Sequence, residues 1–208
     1  MKKIGTLLLL CTFSLMLLAQ QKDSSGLANV DLAKYNKERI LMTRNSMYVL
    51  GGWSAVNIVS GSIGWSKGKD SNRFFHQGNV FWNIVNLGIA IPSLLTIKKS
   101  LHKSYNEQET LKYQKGSEVT YLVNLGLDLG YMLGGAALYD YASRNPSKKG
   151  ATRMNGFGQS LLMQGGFLLL FDATMYSFHK SHSQQWTGGK YMGDLAFTGN
   201  GFAYSYHF

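Results

Sequence analysis

Two carboxylates stand in otherwise uncharged stretches of the chain: Asp128 within residues 119–139 and Asp172 within residues 154–178. An acid in an apolar interior has its charged form disfavoured, so such a residue either finds a partner or holds a proton. If the two meet, they can share one. Polar amides accompany them at helical spacing. Asn79, Asn83 and Asn86 fall at i, i+4 and i+7, Ser54, Asn57 and Gly61 are similarly related, Asn124 precedes Asp128 by four, and Gln164 precedes Asp172 by eight. In lipid these side chains are costly unless paired, so Asn57, Asn83, Asn86, Asn124, Asp128, Gln164 and Asp172 are expected to converge as an intramembrane network. Such a network either fixes helix register or binds a proton, a cation or a small polar solute.

Other chemistry is poorly supplied. The only cysteine, Cys11, lies in the leader-like segment, so cysteine nucleophiles, disulfides and cysteine zinc sites are not expected. His179 and His182 at i, i+3 share a side with His102 but have no carboxylate at ligand spacing, and they read as solvated interface histidines, not as a metal site. Phosphate loops, dinucleotide fingerprints and metalloprotease helices are missing, so no catalytic residue, metal or cofactor is implied.

Four windows could carry these groups: residues 45–66, 74–97, 119–139 and 154–178. The first two are free of Asp, Glu, Lys and Arg, and the other two have one aspartate each. Each reaches the roughly 20 residues that a helix needs to cross a hydrocarbon core. The expected fold is therefore an all-α membrane protein, a four-helix transmembrane bundle over residues 45–180. A short C-terminal β-hairpin is expected in the tail, 181–208. Thr198, Gly199, Asn200 and Gly201 form a turn signal before the alternating Phe202, Tyr204, Tyr206 and Phe208. Residues 1–19 have the order of a secretory signal, with Lys2 and Lys3 followed by an apolar run and Ala19. Residues 20–44 then form a periplasmic lead-in, in which Asp31 can cap an interfacial helix leading into the first span.

The third window also suggests how helices meet. Gly126, Gly130 and Gly134 lie on one face, a thin side for close helix packing, while Tyr121, Asn124, Asp128, Tyr131 and Gly135 lie opposite. The same stretch alternates as a barrel strand would, which keeps an eight-stranded outer-membrane barrel as the rival architecture. Against the barrel, residues 167–171 are apolar without alternation.

The net charge of +10 is carried between the uncharged windows and forms no continuous stripe, so anionic lipid suits it better than nucleic acid. The short basic connections at 67–73 and 144–153 fall on the cytoplasmic side if both termini are periplasmic, which indicates the inner membrane ahead of the outer. The mixed-charge segment 98–118 reads as a helical extension above the membrane. Pro92 is expected to kink the second span.

The runs Gly52-Trp53 with Asn57, Phe81-Trp82-Asn83-Ile84-Val85-Asn86, Asn124 to Tyr131, and Gln164-Gly165-Gly166-Phe167 with Phe171-Asp172 resemble an uncharacterised membrane family of Bacteroidetes. The resemblance implies a helical membrane protein and supplies no activity. From the residues alone, the first reading is a structural or interaction component of the envelope whose partners are membrane lipid and a second copy or another envelope protein. The second is a small transporter or channel for a cation, proton or polar solute, using Asp128 and Asp172.

Overall fold

The computed structural model describes residues 31–187, 193–197 and 202–206. Four long helices make up the fold: α1 Leu32–Lys67, α2 Asp70–Leu101, α3 Glu107–Arg144 and α4 Ala151–Thr187. Their ends follow local chemistry. Asp31 accepts from the Lys34 N–H at 3.0 Å and starts α1. Asn106 and Glu109 form a reciprocal capping box at the start of α3. Before α4 the chain turns at Gly150, whose φ of +88° is a conformation that favours glycine.

The helices pair as antiparallel hairpins, α1 with α2 and α3 with α4, and α2 also packs against α4. The α1–α4 and α1–α3 contacts are slight, and the backbones of α2 and α3 do not approach each other. The consequence is an opening along one side. Small residues allow the close approaches. A Cβ on Gly158 would lie 2.7 Å from the Gly135 carbonyl oxygen, and one on Gly78 would lie 2.7 Å from Ser160 Oγ. On α1, Gly61 makes room for Val80 and Gly64 for the ring of His76.

Burial runs opposite to that of a water-soluble bundle. Gln164, Asn83, Ser54 and His179 are 0% exposed, whereas Leu95 is 76% and Leu133 and Leu170 are 72% exposed. The apolar core is small, built on Met47, Leu50, Ala90 and Leu168. A polar interior inside an apolar surface is what a hydrocarbon solvent selects, because there the unpaired polar groups are what must be hidden.

Four expectations need correction. The barrel is overturned, because helices occupy every one of the uncharged windows. Four spans reduce to two: among the described residues, α2 and the Ala151–Gln184 part of α4 are the helices long and apolar enough to cross a membrane, with mean hydropathy of 1.7 and 1.2. Serine, asparagine and glycine dilute the apolar content of α1, and tyrosine, glycine and Asp128 do the same in α3. The packed fold is all-α, four helices alone, and the C-terminal strands take no part in it. Backbone segments β1 Gly193–Phe197 and β2 Phe202–Tyr206 pair with each other, and neither touches a helix among the described residues. Finally, 98–118 is not one extension, because α2 ends at Leu101 and α3 begins at Glu107. The leader-like segment and the turn at 198–201 lie outside the described residues, and α2 runs through Pro92 as one helix.

Candidate functional site

The polar interior divides into two parts. In the first, Gln164 of α4 is the hub. Its Oε1 accepts from Trp53 Nε1 at 3.0 Å, and its Nε2 donates to Asn79 Oδ1 at 3.2 Å and to Asn57 Oδ1 at 3.4 Å. Ser160 Oγ donates to the same Asn79 oxygen at 2.7 Å. The Trp53 ring stacks on Phe167, with centroids 3.9 Å apart, and covers the hub. Every polar atom of the Gln164 side chain has a partner, and three helices are tied by it. This is a closed, satisfied network.

The second part is a cleft of about 660 Å³ in the opening between α2 and α3, with α1 and α4 behind it. Asp128 on α3 and Asp172 on α4 both line it and are 2% and 3% exposed. Two carboxyls buried side by side disfavour a double negative charge, so a proton held by one of them relieves the repulsion. Asn124 Nδ2 donates to Asp172 Oδ1 at 3.4 Å, at the limit of a useful bond. Asp128 Oδ2 has no partner. Neither have Asn86 Nδ2 and Trp82 Nε1, and all three residues line this one cleft. Trp82 meets Tyr131 edge-on at 4.7 Å, a contact of side chains across a gap that the backbones leave open.

Trp82, Asn86 and the two carboxyls thus line one cleft together with Met47, Leu50, Leu168 and Phe171, and the unpartnered Trp82 Nε1, Asn86 Nδ2 and Asp128 Oδ2 lie just beneath its surface. Such a surface suits a small polar solute carrying both an acceptor and a donor, with a proton or cation at the carboxyls. Hydrolytic or transfer chemistry has no nucleophile, base and oxyanion set here.

The residues picked out in the sequence therefore do not form one network. Asn57 and Gln164 sit in the closed part, Asn86, Asn124, Asp128 and Asp172 line the cleft, and Asn83, donating to the Asn79 carbonyl at 2.8 Å with its Oδ1 unpartnered, lies between. The glycine assignment needs correction. Gly126, Gly130 and Gly134 face outward with no atom near a Cβ position, whereas Gly135 faces α4 together with Asp128. The reason is that α3 buries its polar face, so the face that packs and the face that carries the carboxylate are one. His179 and His182 are also corrected, since both are buried. His179 stacks on Tyr121 at 5.3 Å, and His182 Nε2 lies 3.2 Å from Glu38.

Sequence reading assigned no site role to Trp82 or Ser160. Only the cross-helix pairing shows their roles. It also missed Arg39, which lies on α1 outside the uncharged windows. The guanidinium is 6% exposed, its Nη2 donates to Asn36 Oδ1 at 3.0 Å, and it lies 5.3 Å from the centroid of the Tyr113 ring and 5.6 Å from that of Tyr105. Burial holds its pKa below the usual guanidinium value, with Tyr105 opposing the shift.

A four-helix, all-α fold with a polar interior and a side cleft defines the class. Residues 49–173 match the family of unknown function DUF6992, and since this is more than half of the 208 residues the chain belongs to that family. The match takes in both polar parts and stops short of Arg39, His179 and His182. No curated protein and no solved structure matches the chain.

Proposed function

We propose that the protein is a helical membrane protein, with α2 and α4 as its spans and α1 and α3 packed along them, that binds and moves a small polar solute or cation together with a proton. The observation that carries this reading is the cleft: two nearly buried carboxyls, one with an unpartnered oxygen, line one space with Asn86 and Trp82, whose Nδ2 and Nε1 are also unpartnered. A group satisfied only by a visitor is a binding group, whereas a register-fixing network closes on itself. The inner membrane is the residence favoured by the basic α1–α2 and α3–α4 connections, which lie at the same end of the helices.

The test uses purified protein reconstituted into vesicles loaded with a pH-sensitive dye. Wild-type protein should dissipate an imposed proton gradient, and Asp128→Asn should abolish this while leaving the helical spectrum intact. Full flux in the variant would exclude the carboxyl pair from transport. A structural or interaction role in the envelope is the second reading, supported by the flat outward face at Gly126, Gly130 and Gly134. It expects Asp128→Asn to leave every function unchanged.

A further inference from the structure

At the end of the molecule that holds the α1 N-terminus, the α2 C-terminus and the α2–α3 connection, a second cavity of about 710 Å³ opens. Arg39, Lys99, His102 and Lys103 line it, with hydroxyls from Thr96, Ser100 and Tyr105. No carboxylate lines it. Lys103 is already paired with Glu109 at 2.8 Å, and Glu38, next to Arg39 in sequence, is turned to His182. Arg39 forms no ion pair among the described residues, and its Nε has no hydrogen-bond partner although the side chain is more than nine-tenths buried. The faces of Tyr105 and Tyr113 offset part of the cost of desolvating the cation. A buried guanidinium with lysine and histidine beside it, in a hydroxyl-lined cavity with no carboxylate in its wall, suits a tetrahedral or planar oxyanion.

The position of the cavity narrows the choice. Thr43, Ser93 and Tyr113 line both this cavity and the α2–α3 cleft, so the two spaces adjoin. Below the basic end, the cleft is bordered by Val85 and Ile89, which are 62% and 52% exposed on the apolar surface of α2. An occupant with an anionic head at Arg39 and an apolar tail along α2 satisfies both surfaces at once.

We infer that Arg39 and Lys99 hold the phosphate of an acidic phospholipid whose acyl chain lies along the open side of the α2–α3 gap. This rests on the placement of α2 in a membrane and is independent of any transport through the Asp128–Asp172 pair. The lipid is a side wall for the cleft, which protein leaves open there.

The test is native mass spectrometry of the full chain, extracted in detergent and exposed to equal amounts of phosphatidylglycerol and phosphatidylcholine. Wild-type protein should retain the acidic lipid about tenfold over the zwitterionic one, and Arg39→Gln should bring the ratio near unity. Lys99→Gln, at an exposed position where folding is not at stake, should lower the ratio about threefold to fivefold. Equal retention of the two lipids by wild-type protein, or a preference unchanged in both variants, overturns the inference. Displacement of the lipid by millimolar inorganic phosphate also overturns it and makes the cavity a soluble-anion site. Recovery of the protein in the aqueous fraction without detergent removes the membrane placement itself, a result visible before any lipid is added.

Discussion

The closed network around Gln164 and the open cleft at Asp128 use similar side chains and share α2 and α4, on which they lie only a few turns apart. They differ in how closely the backbones approach. Where Gly78, Gly156 and Gly158 let helices nearly touch, amides reach one another and saturate. Where α2 and α3 stay apart, Asn86, Trp82 and Asp128 have nothing to reach. Helix separation, more than residue type, decides which polar groups hold the fold and which remain available to a ligand.

The comparison can be broken at four places. The largest effect is expected for Gly158→Leu, because a Cβ there already lies 2.7 Å from the Gly135 carbonyl oxygen and the Tyr139 nitrogen. Forcing α3 from α4 should cost about 3 kcal/mol or more, read from unfolding in a denaturing detergent. Next comes Gln164→Leu, which keeps the bulk but strands Trp53 Nε1 and Asn57 Oδ1 and leaves Asn79 Oδ1 with Ser160 alone. A loss of roughly 2–4 kcal/mol is expected in the same assay, and a neutral result would show that the network is not structural.

Asp128→Asn should change stability by no more than about 1 kcal/mol, since the group is incompletely paired, while removing flux. An unfolding midpoint that drops as far as that of Gln164→Leu would make the two parts alike. The smallest effect belongs to Gly130→Leu. Nothing lies within 4 Å of its Cβ position, so stability should stay within about 0.5 kcal/mol of wild type in the isolated protein.

Much of the helical fold was readable from the chain. A charge-free window marked α2, a window with Asp172 as its one charge marked α4, and Asp31 marked the start of α1, because span length and capping are local properties. Inwardness was readable only by halves. The i, i+4 spacing grouped Asn79 with Asn83 and Asn124 with Asp128, but it could not say which helix each face would meet. The choice among glycines went wrong for that reason: Gly126, Gly130 and Gly134 form the neater stripe, yet Gly135 shares the face of Asp128, and burial of a carboxylate takes precedence over an unused thin face. The cleft exists because α2 and α3 diverge, and no spacing within either helix records that. Arg39 was hidden by its place in a charged lead-in, where a solvated side chain is the ordinary expectation.

The central claim is that the carboxyl pair holds a proton and can be reached from the cleft, while the Gln164 network is sealed. Treatment of native membranes with a hydrophobic carbodiimide, followed by peptide mass mapping, tests it directly, because the reagent modifies protonated carboxyls that it can reach. The account predicts a single adduct on the Asp128–Asp172 pair, lost in Asp128→Asn together with proton flux. Absence of an adduct on either aspartate, or flux that survives complete modification, would contradict it.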